Sequence, residues 1–117
     1  MAQVIGNDDL PNSGSVYKFE GYHYGDVDVS FFLSDTAPGK GPDLHKHPYD
    51  EVFVVQDGEL TFTVEEDTIE ATGGQIVIAP AGSLHKFVNS GTGRSRHLDI
   101  HTNRRMITEW LEDQETE

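Results

Sequence analysis

The chain has 117 residues, 35% of them hydrophobic, with no cysteine and a formal net charge of −13. This length fits a single domain, and the lack of cysteine excludes disulfides, thiolate chemistry and iron–sulfur clusters. The negative charge argues against nucleic acid and anionic membrane surfaces as partners, because their phosphate groups would be repelled.

Targeting signals and basic surfaces are also missing from the sequence. No apolar run approaches the length that spans a bilayer, and the N-terminus lacks the basic-then-apolar pattern of a signal peptide. The one basic cluster is the pair Arg104-Arg105, which is too small to predict a nucleic-acid surface. We therefore predict a cytoplasmic protein with neither nucleic-acid nor membrane partners.

From residue 15 to residue 102 the chain is a succession of short alternating segments separated by turn residues. Many short strands at regular spacing predict a sandwich or barrel, so we expect an all-β fold. The predicted strands cover residues 16–20, 27–33, 52–55, 60–64, 68–71, 75–78, 84–88 and 96–101. We expect the strand at 52–55, which is apolar on both faces, to be buried on both sides. Asp57-Gly58 predicts a hairpin turn.

The two ends of the chain differ from this central region. Residues 1–14 are predicted to be irregular or to form an edge strand, because asparagine, aspartate, proline and glycine interrupt them. Within residues 103–117, the apolar positions 106, 107, 110 and 111 recur at helical spacing. We predict a short C-terminal helix there, followed by an acidic tail, with Trp110 packed on the sheet as part of the core.

Two separate segments carry residues that suit metal binding. His45 and His47 are two apart, so on an extended chain both side chains point to one face and can hold one ion. Glu51 follows after Pro48, which favours a bend that brings the next strand back past the pair. His85 comes just after a turn at residues 80–82 that would aim it into the same space.

Each segment alone has an ordinary explanation, since most single histidines are surface groups or hydrogen-bonded core residues. Together, three imidazoles and one carboxylate form a ligand set suited to Fe, Mn, Ni, Co or Zn. Four protein ligands leave one or two coordination positions open on such an ion, which is typical of catalytic sites. We therefore predict one divalent transition metal ion and a small-molecule substrate or ligand.

The two segments resemble, position for position, the two consensus motifs of the cupin superfamily, and the resemblance covers about residues 39–89. The first motif is matched by Gly39, His45, His47, Glu51 and Gly58, and the second by Gly74, Pro80, Gly82, His85 and Asn89. The resemblance implies a jelly roll, or double-stranded β-helix barrel, with a metal inside its mouth. It implies His45, His47, Glu51 and His85 as the metal ligands, and turn-shaping roles for the glycines, Pro80 and Asn89.

Three classes of function remain open after this resemblance, because fold and metal do not select among them. The leading hypothesis is a dioxygenase-like oxidoreductase that acts on a small oxygenated organic substrate. The second is a redox-neutral isomerase, cyclase or lyase in which the ion acts as a Lewis acid. The third is a non-catalytic module that binds a sugar-like small molecule.

Further residues are candidates for the surroundings of the metal. The alternating segment from 96 to 101 places His97, Asp99 and His101 on one face, which serves proton transfer if it looks inward and is ordinary surface if it looks outward. Aromatic candidates for the pocket wall are Tyr22, His23, Tyr24, Phe53 and Phe87, with Tyr24 also a candidate catalytic residue. Exposed strand edges in small barrels favour a homodimer.

Overall fold

The structure is a computed structural model that describes residues 2–111, and these residues form ten antiparallel β-strands. The strands are β1 (Val16–Glu20), β2 (Ser30–Thr36), β3 (His45–Lys46), β4 (Glu51–Asp57), β5 (Glu59–Val64), β6 (Asp67–Thr72), β7 (Ile76–Ala79), β8 (His85–Asn89), β9 (Ser95–His101) and β10 (Glu109–Trp110). Two short 3-10 helices, Asn7–Asp9 and Gly21–Tyr24, precede and follow β1.

The strands form two five-stranded sheets that face one another. Sheet 1 has the order β1-β2-β9-β4-β7 and sheet 2 the order β10-β3-β8-β5-β6. Between them lies an apolar core in which Phe53 and Val55 of sheet 1 meet Leu60, Phe62 and Phe87 of sheet 2. Alternation drives this arrangement, because every second residue of β4, β5 and β8 is buried. The predicted all-β jelly roll is confirmed.

The two segments that carry the motif residues each cross from one sheet to the other. The hairpin predicted at Asp57-Gly58 is wrong. β4 pairs with β7 and β9, whereas β5 pairs with β6 and β8, so these two residues turn a corner between sheets. Gly58 has a φ of 91° there, in the region that favours glycine. The tight turn itself is present, but long-range pairing places the two strands that it joins in different sheets.

Two strand predictions need correction in detail. β4 is buried on one face only, because Phe53 and Val55 are in the core while Val52 and Val54 are half-buried on the outer side. The strand predicted from 27 to 33 begins only at Ser30 and continues to Thr36. Its first residues instead belong to a turn, in which the backbone N–H of Val27 donates to the carbonyl of Gly21.

The predicted C-terminal helix is wrong over residues 103–110, and of its described residues only Leu111 is helical. Residues 103–108 form an irregular segment, and Glu109–Trp110 pair with β3 as strand β10. The segment's backbone groups are already bonded elsewhere: the carbonyl of Arg104 accepts from Tyr22, and the N–H of Leu111 donates to Leu44. Trp110 is 39% exposed rather than in the core. Residues 112–117, the rest of the predicted helix and tail, lie outside the described residues.

Two local features complete the framework. Asn89, at the end of β8, donates to the carbonyls of Thr36 and Gly93 and accepts from the N–H of Gly91, so its side chain ties the loop between β8 and β9 to the end of β2. Within residues 2–111, no helix is long and apolar enough to cross a membrane.

The corner at Gly58 provides a test of the fold. An added Cβ would lie 2.8 Å from the carbonyl oxygen of Arg94, at a backbone conformation that disfavours side chains. Gly58→Ala is therefore expected to lower the free energy of unfolding by about 2 kcal/mol, measured by urea denaturation. Gly93→Ala is the matched control, because its Cβ would meet open space, and equal stabilities of the two variants would contradict the argument.

Candidate metal centre

The three predicted histidines come together at one end of the barrel. His45 lies in β3 directly opposite His85 of β8, and the two ring centroids are 4.4 Å apart. His47 comes directly after β3, two residues beyond His45, so it points to the same inner side as His45, and all three side chains are buried. Strand pairing in sheet 2 thus brings together residues that lie forty positions apart in sequence.

Glu51 reaches the histidines from the opposite sheet. It begins β4, in register with Ala79 of β7 and His101 of β9. The connection between the sheets is fixed by local hydrogen bonds, because the N–H of Ala81 donates to Asp50 Oδ1 at 2.8 Å and the N–H of Gly82 donates to the carbonyl of His47 at 2.8 Å. The turn of the second motif is therefore fastened directly to the first.

Backbone carbonyls set the proton on each of these three rings. The Nδ1 atoms of His45, His47 and His85 lie 2.7, 2.8 and 3.0 Å from the carbonyl oxygens of Asp43, Ile107 and Ser83. A carbonyl oxygen only accepts, so each Nδ1 carries hydrogen and donates. In the neutral rings, each Nε2 is consequently unprotonated and carries a lone pair, which is the form in which imidazole coordinates a metal.

These lone pairs and the carboxylate meet in one small space. The Nε2 atoms of His47 and His85 each lie 3.0 Å from Oε1 of Glu51, and the four potential ligand atoms, that of His45 included, are all within 4.8 Å of one another. Among the described residues, no group hydrogen-bonds the buried Nε2 of His47. Buried acceptors that face one another are costly unless a cation lies between them. The residues thus fit a divalent transition metal ion, whose identity they leave unspecified.

Glu51 is held in its ionised form by its neighbours. Burial acts to raise the pKa of Glu51, but contacts with His101, His47 and His85 outweigh it and hold the pKa well below its usual range. His101 Nε2 lies 3.2 Å from the second oxygen, Oε2, whereas His47 and His85 contact the first, Oε1. The carboxylate is therefore charged and oriented before any ion binds.

Tyr49 orients His101 in turn. Its hydroxyl accepts from the N–H of Ile107 at 3.0 Å and lies 2.6 Å from Nδ1 of His101. Burial, with a further contribution from Glu51, raises the pKa of Tyr49 to about 12, so the phenol keeps its proton. The hydroxyl can therefore donate a hydrogen bond to His101 Nδ1, and the Nε2–H of His101 then donates to Glu51.

His45 and His85 differ in their affinity for protons. Burial, with the neighbouring imidazoles, lowers the pKa of His45 to about 4, so this ring is neutral near pH 7. Burial also acts to lower the pKa of His85, but hydrogen bonds to Glu51 and to the carbonyl of Ser83 outweigh it and raise that pKa. A metal ion would take the place of the proton that His85 and Glu51 attract.

A cavity of about 430 Å³ opens beside this group and is lined by His45, His47 and Glu51, among others. The inward face of β9 forms part of its wall, so His97, Asp99 and His101 lie inside the barrel rather than on the surface. His97 Nδ1 is 2.6 Å from Asp99 Oδ1, and its Nε2 is 2.8 Å from Thr36 Oγ1.

The aromatic residues predicted for the pocket wall are mostly elsewhere. Phe87 lines the cavity, whereas Phe53 lies deeper in the core. The residues Tyr22, His23 and Tyr24 belong to the 3-10 helix after β1, away from the cavity. Tyr24 stacks on Phe19 with ring centroids 4.9 Å apart, which gives the candidate catalytic tyrosine a place outside the site.

Sequence reasoning missed three parts of the site. Tyr49 stands between the predicted ligands in sequence, but only the register of β4 with β9 brings its hydroxyl to His101. Thr36 lay beyond the predicted end of its strand. The carbonyl of Ile107 and the ring of Trp110, 4.8 Å from that of His45, come from the segment that had been predicted as a helix.

The central part of the sequence, residues 32–101, matches the family model of the cupin domain. This match covers more than half of the chain, so the protein belongs to the cupin family. Among curated proteins, none shows a significant match to the sequence.

Solved structures of oxalate decarboxylase from Bacillus subtilis share the fold. One, from a study of the Mn(II) centres of that enzyme, has a TM-score of 0.76 and 21% identity, and the match covers 85% of this chain and 28% of that one. A single-residue variant of the same enzyme has a TM-score of 0.77 and 20% identity over 90% of this chain and 30% of that one. This chain therefore spans less than a third of the length of those proteins.

Replacement of one ligand tests the metal centre. His47→Ala is expected to weaken binding of Mn(II) or Zn(II) by more than about 100-fold, because even residues behind the ligands account for about 10–100-fold. Elemental analysis and competition with a chromophoric chelator measure the effect. His23→Ala, which changes an exposed histidine outside the barrel, is the control. Full metal occupancy in His47→Ala would contradict the assignment.

Proposed function

We propose that this protein is a metal-dependent enzyme that acts on a small oxygenated organic substrate, with His45, His47, Glu51 and His85 as the ligands of one divalent ion. The observation that carries the proposal is the convergence of these four buried groups beside a cavity. Three of the four line the cavity, so an ion held by them would face the space in which a small molecule fits.

The charges of the cavity favour a neutral or phenolic substrate. Of the residues described, Lys40 and Arg94 are the basic side chains, apart from histidine, that line it. Arg94 is already engaged, because its Nε donates to Asp35 Oδ1 at 2.7 Å and its Nη2 donates to the carbonyl of Asp35. Such a wall offers little to clamp a dicarboxylate, so oxalate, the substrate implied by the name of the structurally similar enzyme, is not the substrate we propose.

In its leading form the enzyme is a dioxygenase. Dioxygen is the oxidant, both of its atoms enter the organic product, and a bound Fe or Mn ion supplies the Lewis acidity and redox activity that this reaction requires. The protein residues hold the substrate against the ion and keep Glu51 ionised through His101. Phe87 and Trp110 provide apolar walls for a flat organic molecule.

A redox-neutral isomerase, cyclase or lyase is the second candidate. The observation that favours it is the hydrogen-bonded series Thr36–His97–Asp99 in the same cavity, since such reactions depend on proton transfer. A non-catalytic module that binds a sugar-like ligand would require the cavity, but it would not require the hydrogen-bonded series.

Oxygen consumption distinguishes these candidates. Protein loaded with Fe(II) or Mn(II) is expected to consume dioxygen with at least one member of a panel of enols, catechols and flavonols, followed with an oxygen electrode and by mass spectrometry of the product. Zn(II)-loaded protein is the matched control, because zinc holds the same geometry without redox activity. Turnover without oxygen uptake would favour the redox-neutral candidate. Tight binding of a compound that is returned unchanged, with no turnover across the panel, would refute both enzymatic proposals.

We also propose that two copies associate through the outer face of sheet 1. The strand register places two apolar rows across all five strands of this face. The rows are Phe19–Phe31–Ile100–Val52–Ile78 and Tyr17–Leu33–Leu98–Val54–Ile76. Ile76 and Ile78 are 63% and 60% exposed at the β7 edge. A continuous apolar face of this kind typically marks an interaction surface.

Cytoplasmic location remains a prediction.

A single charge on this face tests the dimer. Multi-angle light scattering of the wild-type protein is expected to give twice the chain mass of 13.0 kDa, and Ile78→Lys is expected to give the chain mass, because burying the ammonium group is costly. Val88→Lys is the control, since Val88 is an exposed apolar residue on the outer face of sheet 2. A monomeric wild-type protein, or a dimeric Ile78→Lys, would refute the proposed interface.

A further inference from the structure

A second cluster of polar side chains lies in the cavity, apart from the proposed metal ligands. It consists of Thr36 at the end of β2 and His97 and Asp99 on the adjacent strand β9. His97 is 1% exposed and Asp99 4% exposed, whereas Thr36 is only half-buried, and all three line the cavity. The series therefore runs from a buried carboxylate to a hydroxyl that reaches the cavity.

The hydrogen bonds allow this series to carry a proton in either direction. When Asp99 is ionised and His97 is neutral, Nδ1–H donates to Asp99 and the Nε2 lone pair accepts from the hydroxyl of Thr36. When the pair holds one more proton, Nε2–H donates to Thr36, whose hydroxyl is then free to donate toward the cavity. Thr36 Oγ1 thus changes from acceptor to donor on the cavity side as His97 gains a proton.

From this arrangement we infer that Thr36, His97 and Asp99 form a proton relay that accepts a proton from a substrate with two adjacent oxygens, such as an enediol or a catechol. The inference rests on the proposed function, because the substrate's oxygens would face the metal centre. The O–H bond of the substrate breaks, its proton passes to Thr36 Oγ1, and the proton of Thr36 passes to His97 Nε2. The electron pair stays on the substrate oxygen, and the protein is left with an imidazolium–carboxylate pair.

The surroundings of the relay suit this substrate class. A neutral diol enters a cavity that has few free positive charges, and its negative charge develops only as the proton moves inward to His97. Burial raises the pKa of Asp99, although the hydrogen bond from His97 opposes this effect. The ring of Phe87, with its centroid 5.1 Å from that of His97, shields the pair from water.

The same contacts would be expected of a structural pair that merely joins β2 to β9, so the test must follow the proton. We choose 4-nitrocatechol as the probe and Zn(II)-loaded protein, in which no oxidation occurs. Isothermal titration in two buffers of different ionisation enthalpy gives the number of protons released to solvent per bound probe. Wild-type protein is expected to retain a proton, whereas Thr36→Val should release about one more to the buffer and bind the probe about tenfold more weakly.

Three further variants complete the experiment. Thr36→Ser restores the hydroxyl and should return the wild-type proton count, and Asp99→Asn should behave as Thr36→Val because the charge that stabilises imidazolium is lost. Thr63→Val, the same substitution on β5 outside the cavity, should leave both quantities unchanged. Circular dichroism and zinc content verify that each variant is folded and loaded.

The outcomes separate this inference from the proposed function. Failure of the wild-type protein to bind zinc contradicts the metal centre. Normal zinc content with no binding of 4-nitrocatechol, or with the same proton count in wild-type protein and Thr36→Val, overturns the relay and leaves the metal centre intact. An increased proton release in Thr36→Val that Thr36→Ser reverses supports the relay, because a purely structural role would not change the proton count.

Discussion

The fold of this protein brings four buried acceptor groups into one small space, an arrangement that is costly unless a cation lies between them. Three carbonyl oxygens hold the histidine Nδ1–H groups, which turns the Nε2 lone pairs inward. The carboxylate of Glu51 arrives from the other sheet and is kept ionised by His101. Metal binding and sheet association are therefore linked, since an ion held by both sheets would join them at the open end of the barrel.

The inward face of β9 gives the cavity its chemical character. At one end of the strand, His101 supports Glu51, a proposed metal ligand; toward the other end, His97 and Asp99 form a separate polar pair with Thr36. Phe87 and Trp110 provide apolar walls beside these polar groups. The spacing of alternate residues along one face of the strand thus separates the residue that orients Glu51 from the residues of the proposed proton relay.

The segment after β9 belongs to the site although it carries none of the proposed ligands. Its Ile107 carbonyl fixes the proton of His47, its Ile107 N–H donates to Tyr49, and Trp110 packs against His45. An α-helix over these residues would use the same backbone groups internally and leave His47 without its acceptor. The competition between these two sets of hydrogen bonds explains why helical spacing of apolar residues did not produce a helix here.

The sequence by itself determined eight of the ten strands, the family motifs and the identity of the four groups that meet, because alternation, glycine at positive φ and ligand spacing are local properties. Tertiary structure decided what depends on distant partners. It made Asp57-Gly58 a corner between sheets rather than a hairpin, turned His97, Asp99 and His101 inward, and brought Tyr49 and Thr36 to their histidines. The physical reason is that strand register and backbone hydrogen bonds from remote segments, not the spacing within one segment, choose the neighbours of each side chain.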